Sequence, residues 1–85
     1  MQIAFSDYRN KVNALYGRVV AVMSAVDFEE ISISADDYNK LEYFRSKLKA
    51  IQDDLVFCGK RMITVSDVDW KIISDAEKTI SELNC

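Results

Sequence analysis

The chain has 85 residues, of which 49% are hydrophobic and 29% are charged, with no proline, no histidine, two glycines and two cysteines. Such a length holds one small domain, residues 1–85, and the apolar content excludes a disordered chain. The net charge is −3, which argues against direct nucleic-acid binding because phosphate contacts need an excess of positive charge.

Nothing in the sequence indicates a membrane span or a metal site. The longest uncharged stretch, residues 19–26, is far shorter than the roughly 20 apolar residues that a spanning helix needs, and no basic segment followed by an apolar run opens the chain. Cys58 and Cys85 do not make a secreted disulfide framework, and without histidine a zinc site would need carboxylates. We expect a cytoplasmic protein with two structural thiols, no metal and no cofactor.

Three apolar repeats predict three helices, near residues 6–27, 35–58 and 67–83. In each repeat the apolar positions recur at intervals of three and four, which places them on one helical face. Gly59 follows the second repeat, where a left-handed cap is expected. The sequence therefore predicts an all-α fold: a three-helix bundle, or a helical hairpin with an extra helix, that oligomerisation can complete. The predicted core comprises Leu15, Val19, Val22, Leu41, Phe44, Leu48, Ile51, Leu55, Ile73 and Ile80.

The starts of the second and third helices carry the same local signal. Residues 31–38 align with residues 63–70, and we attribute the likeness to shared capping chemistry rather than to duplication. Ser34 and Ser66 are predicted to accept hydrogen bonds from free backbone N–H groups of the first turn. Both lead-ins also alternate apolar and polar residues, so an alternative is that they pair as two short extended segments. The predicted hydrophobic staples are Ile33 with Tyr38 and Val65 with Trp70.

The chemistry available to an enzyme is poor. Absence of histidine excludes Ser–His and Cys–His nucleophilic sites. The adjacent carboxylates at 36–37 and 53–54 point about 100° apart on a helix, so neither pair can share a proton. Glycine-rich phosphate loops and the calcium-loop pattern are missing from the sequence. We therefore expect no enzymatic activity.

Charge is segregated along the chain. Residues 27–39 hold five acidic residues and no basic one, residues 40–61 hold six basic and three acidic, and residues 62–85 hold five acidic and two basic. We interpret this as attraction between the polar edges of neighbouring helices. The alternative is a bipolar surface that steers a charged protein partner.

The first helix has more uncharged surface than two other helices can cover. Arg18 is its only charge between Val12 and Val26, and Gly17 costs about 1 kcal/mol relative to alanine inside a helix. We expect this surface to form a homo-oligomer or to bind a different protein; the alternative is that it faces water and that Gly17 tolerates a bend. The predicted self-association or partner residues are Ala14, Tyr16, Gly17, Val20, Ala21, Met23 and Ser24.

Two classes of function follow from these residues. The first is a small protein-binding module, such as an adaptor, inhibitor or antagonist, that acts by helix-face association with an unidentified protein. Another class is a ligand-sequestering helical oligomer, in which Tyr8, Arg9 and Lys11 would contact an anionic ligand.

Three short segments bear a faint resemblance to the Hha family of small helical nucleoid-protein modulators. They are Ser6-Asp7-Tyr8, the helix opening at Ser34 and residues 68–73. The resemblance covers residues 6–73 and implies a modulator subunit that binds a nucleoid-structuring protein without itself holding phosphates. The family's final proline-containing turn has no counterpart in this proline-free chain.

Overall fold

The helices of the chain begin and end close to the positions that apolar periodicity predicts. The computed structural model describes residues 1–56 and 58–83, which form an all-α bundle with a small two-stranded ribbon. The elements in chain order are β1 (Gln2–Ala4), α1 (Phe5–Asp27), α2 (Ala35–Val56), β2 (Met62–Thr64) and α3 (Asp67–Leu83). The bundle measures 41 × 20 × 18 Å.

Side-chain contacts show how the helices run relative to each other. The Tyr38 hydroxyl donates to Asp27 Oδ1 at 2.9 Å, and Gln52 Nε2 donates to Asn13 Oδ1 at 2.8 Å, so α1 and α2 are antiparallel. Lys11 Nζ lies 2.7 Å from Glu77 Oε1, which joins α3 to α1. The helices α2 and α3 are also in contact, so each helix packs against both others.

The core lies along the line where the apolar faces of the three helices meet. All ten residues predicted for the core are buried, which confirms the three predicted faces. Leu41, Leu48, Ile73 and Ile80 are fully buried, and large apolar side chains of this kind each contribute about 1.5–3 kcal/mol when removed from water. The other buried residues are Tyr8, Val12, Met23, Val65 and Ala76.

The predicted helix starts are confirmed. Ser34 Oγ accepts a hydrogen bond from the Asp37 backbone N–H, and Ser66 Oγ accepts one from the Asp69 backbone N–H, each at 3.1 Å. Each serine thus satisfies one of the donors that a helix leaves free in its first turn. The residues of the two predicted staples are buried or half-buried against the core: Ile33, Tyr38, Val65 and Trp70.

The prediction of a left-handed glycine cap after α2 was wrong. The helix ends at Val56 rather than at residue 58, and neither glycine has a positive φ angle, so Gly59 is not a left-handed cap. The residue with a left-handed backbone is Glu29, with a φ of 61°. The apolar spacing made the predicted helix too long, because Cys58 is half-buried beside the bundle although it is not helical.

The alternative that the two lead-ins pair with each other is not what the structure shows. Residues 32–34 are not in a strand, and β2 pairs antiparallel with β1 at the N-terminus, with Ile3 opposite Ile63. Flanking backbone bonds of 2.7 Å extend the ribbon, from Phe5 N to the Arg61 oxygen and from Val65 N to the Met1 oxygen. Ile3 and Ile63 pack against the core, which holds the ribbon over one end of the helices.

Candidate functional site

On the side of α1 that points away from the core, small uncharged residues lie beside the exposed Arg18. Ala14, Gly17 and Ala21 are exposed there, and Phe28, which caps the helix, is 78% exposed. At 100° per residue these four positions fall on one side of the helix and span about 21 Å along it. We call these four residues the outer face of α1.

Gly17 lies near the middle of this outer face. Nothing in the described part of the chain requires a glycine at this position. Gly17 has no positive φ angle, and an added Cβ atom would meet nothing within 4 Å beyond its chain neighbours and the nearby backbone of its own helix. A glycine inside a helix costs about 1 kcal/mol relative to alanine, yet no neighbouring helix needs the space. The described contacts of the chain therefore leave its glycine unexplained.

The remaining residues predicted for association border this face or lie in the core. Tyr16, Val20 and Ser24 are half-buried, and Tyr16 packs against the core. Met23 was predicted on the associating surface, but it is only 3% exposed. Eleven residues make three turns with a small offset, so Met23 shares the inward direction of Val12.

Phe28 is the residue of the outer face that sequence reasoning missed. The apolar spacing of α1 does not include it, and it lies directly after the last helical residue, Asp27. Its position seven residues after Ala21 was the available signal, since seven residues return to the same side of a helix.

The three residues predicted to contact an anionic ligand do not form an open site together. Tyr8 is only 3% exposed, and Lys11 is held by the ion pair with Glu77 and by the ring of Trp70, 5.4 Å from its Nζ. Arg9 remains exposed, with its guanidinium 5.5 Å from the centre of the Phe5 ring. Two of the three are therefore engaged within the fold.

Burial changes the acid–base properties of Tyr8. Desolvation, with a smaller contribution from the negative charge of Asp69, raises the pKa of Tyr8 to about 12. Both effects disfavour the phenolate. The Tyr8 hydroxyl therefore stays protonated at neutral pH.

Cys58 does not lie in a group with other metal ligands among the described residues. Among the described residues, no set of three Cys, Asp or Glu side chains is placed to hold a metal ion. Cys58, the last residue of the predicted second helix, lies half-buried beyond the end of α2 as a free thiol. Cys85 lies outside the described residues.

The segregated charges make few contacts between helices. Of the ion pairs among the described residues, only Lys11–Glu77 joins two helices, whereas Lys49–Asp53 and Lys71–Asp75 each lie within one helix. Near the acidic segment 27–39, the hydrogen bond to Asp27 raises the pKa of Tyr38. Among the described residues, a single ion pair thus provides charge attraction between the edges of two helices.

Comparison with known proteins gives no information about the function of this chain. No protein-family model matches the chain, and no curated protein or solved structure matches it either. The segments that resemble the Hha family lie in the first turn of α1, at the cap of α2 and at the start of α3. None of the described helices is long and apolar enough to cross a membrane.

Proposed function

We propose that this chain is a small cytoplasmic protein-binding module rather than an enzyme, and that it binds through the outer face of α1. The observation that carries this proposal is the exposed Gly17, which has no neighbour within 4 Å of an added Cβ atom. A glycine allows two helices to approach closely. Packing of a second helix on this face would therefore explain why a residue of low helix propensity occupies position 17.

The partner that the shape of the helix favours is a second copy of the chain. Gly17 lies close to the midpoint of α1, which spans Phe5–Asp27. Two copies related by a twofold axis near Gly17 would pair their α1 helices antiparallel, with small residues facing each other along the contact. Phe28 of each copy would then cover the N-terminal part of α1 in the other copy, which removes an exposed aromatic ring from water.

The affinity of such a pair is limited by its area. Stable interfaces bury about 800 Å² per partner, and a single helix face built largely from alanine and glycine supplies less than this. We therefore expect a reversible dimer with a dissociation constant on the order of micromolar rather than a permanent complex.

Sedimentation velocity over a range of concentrations tests the proposal. The wild-type chain should pass from monomer to dimer, and Gly17→Arg and Ala21→Arg should stay monomeric with unchanged helical circular dichroism. Ala50→Arg is the matched control, because Ala50 is exposed on α2. Loss of the dimer in this control, or a wild-type monomer at all concentrations, contradicts self-association through α1.

Gly17→Ala separates a packing role from a stability role. In the monomer the added methyl group meets no atom, so it should raise the free energy of unfolding by up to about 1 kcal/mol. In a close helix pair the same methyl group should weaken the dimer. Equal or tighter dimerisation of Gly17→Ala contradicts close approach at this position.

If the wild-type chain is monomeric, we propose that the outer face of α1 binds a different protein. Capture from a lysate with the wild-type chain and with Gly17→Arg compares the two surfaces directly. A partner that binds only the wild-type chain supports recognition by the outer face, and a nucleoid-structuring protein is the candidate that the resemblance to the Hha family implies. A partner that binds both chains equally contradicts it.

A further inference from the structure

A groove runs between the N-terminal half of α1 and the C-terminal half of α2. It has a volume of about 490 Å³, which falls within the range of about 300–1,000 Å³ that is typical of pockets for small ligands. The hydrogen bond from Gln52 Nε2 to Asn13 Oδ1, 2.8 Å long, joins the two helices within this groove. A described contact therefore holds its two walls together.

The charged residues that line the groove are Arg9, Lys49 and Asp53. Lys49 Nζ lies 3.4 Å from Asp53 Oδ1, so these two charges compensate each other. Arg9 takes part in no ion pair among the described residues. The groove thus carries one uncompensated positive charge, although the whole chain has a net charge of −3.

Arg9 and Asn13 present hydrogen-bond donors on the same side of α1, because residues four positions apart are neighbours on a helix surface. The Arg9 guanidinium lies 5.5 Å from the centre of the Phe5 ring, a cation–π contact that restrains this side chain at the groove. The bond from Gln52 uses the Asn13 oxygen and leaves the two N–H donors of Asn13 Nδ2 for another acceptor. A guanidinium and an amide N–H group one turn apart suit the two oxygens of a carboxylate.

The end of the groove that holds Arg9 also has an apolar wall. Val56 lies one turn beyond Gln52, on the side of the bundle toward Arg9, because α1 and α2 are antiparallel. The Val56 side chain is 72% exposed, and Leu55 lines the groove beside it. An apolar group placed here would remove the Val56 side chain from water, which is favourable.

We propose that this groove binds a small organic carboxylate with an apolar body, such as an aryl-substituted short-chain acid. The carboxylate accepts hydrogen bonds from the Arg9 guanidinium and from Asn13 Nδ2, and the apolar body lies against Val56 and Leu55. This site is distinct from the protein-binding surface proposed above, since it joins two helices whereas the outer face belongs to α1. With a single charged contact, we expect a dissociation constant on the order of 1 mM.

Titration of the ¹⁵N-labelled chain with 3-phenylpropionate, at neutral pH and low ionic strength, tests the proposal. The side-chain amide resonances of Asn13 and Gln52 and the backbone amide resonance of Val56 should shift and saturate together. Two matched probes separate the parts of the ligand: 3-phenylpropionamide has the apolar body without the charge, and acetate has the charge without the body. Each should bind about tenfold more weakly than 3-phenylpropionate, or less tightly still.

Three substitutions distinguish the donors of the groove from its acid. Arg9→Gln removes the positive charge, and Asn13→Asp replaces the free N–H donors by an acceptor while keeping an oxygen for Gln52. Each should weaken binding about tenfold. Asp53→Asn should have the opposite effect and tighten binding about threefold, because it removes the acid of the described lining and frees the ammonium group of Lys49.

The matched control variants change the same kinds of group outside the groove. Arg18→Gln removes a positive charge from α1, Asn10→Asp makes an amide-to-acid exchange on the same helix, and Asp54→Asn removes a negative charge from α2. None of these three residues lines the groove. Their affinity for 3-phenylpropionate should stay within about twofold of the wild-type value, because charge effects between exposed groups are small.

The signs of these effects decide the outcome. Saturable binding of 3-phenylpropionate that Arg9→Gln weakens and Asp53→Asn tightens supports the site. Absence of saturable shifts, equal binding of 3-phenylpropionamide, or unchanged affinity in Arg9→Gln overturns the proposal, as does weaker binding in Asp53→Asn.

Discussion

The backbone N–H of Glu30 donates a 2.8 Å hydrogen bond to the carbonyl oxygen of Ala25, and this bond closes the C-terminal end of α1. A second bond of 3.0 Å runs from the Glu29 N–H to the Val26 carbonyl. Together they form a Schellman motif, in which the residue between helix and loop adopts a left-handed backbone. That residue is Glu29, although glycine adopts this conformation without a steric penalty.

Replacing Glu29 with glycine should therefore stabilise the protein. A left-handed backbone costs a residue with a Cβ atom about 1–2 kcal/mol, and glycine loses part of this gain through its greater freedom in the unfolded chain. We expect Glu29→Gly to raise the free energy of unfolding by up to about 1 kcal/mol in urea denaturation. Glu30→Gly is the control, since Glu30 has no positive φ angle; an equal gain there would contradict the role of Glu29.

Truncation of Leu48 should destabilise the bundle strongly. This side chain is fully buried on α2, and shortening it to alanine leaves a cavity as well as lost apolar contact. We expect Leu48→Ala to lower the free energy of unfolding by roughly 2–5 kcal/mol. Val56→Ala on the same helix, where the side chain is 72% exposed, should change it much less. A wild-type melting curve for Leu48→Ala would disprove the placement of Leu48 in the core.

Removal of either serine cap should cost a smaller amount. Ser34→Ala and Ser66→Ala each lose one hydrogen bond to a first-turn backbone N–H, and we expect a decrease of about 0.5–2 kcal/mol in the free energy of unfolding. Partner binding should persist, because each serine hydroxyl accepts a hydrogen bond at the start of its own helix, α2 or α3, and neither belongs to α1. Ser46→Ala is the control within α2. Loss of binding at unchanged stability would show that the serine is a contact residue and not a cap.

Alkaline pH should destabilise the protein through Tyr8. Its pKa is about 12 in the folded chain against 10.0 for a free tyrosine, so above pH 10 the unfolded chain releases this proton while the folded chain keeps it. The stabilising contribution is thus complete below the unfolded pKa and is lost as pH rises from about 10 to about 12.

Urea midpoints measured on either side of this pH interval test the effect. The midpoint of the wild-type chain should fall more steeply than that of Tyr8→Phe, which has no phenol to ionise and retains the buried ring. Lysine titration affects both chains equally and therefore cancels in the comparison. Parallel decreases in the two proteins would show that Tyr8 does not contribute.

Helix positions, buried faces and helix starts were predictable because they depend on residues a few positions apart. Leu41 and Leu48 share a face through the period of the helix, whatever α2 packs against. Ser34 and Ser66 reach N–H groups only three residues away. Signals of this range are contained in a short window of sequence.

Tertiary structure alone decided the features that join distant parts of the chain. Ile3 pairs with Ile63 across the length of two helices, and both lead-ins alternate apolar and polar residues, so alternation by itself could not select the strand that pairs. Glu29 becomes left-handed because the chain must reverse between α1 and α2. The sequence by itself determined which surfaces are apolar, whereas packing determined which of them remain exposed, because exposure depends on neighbours that local periodicity does not specify.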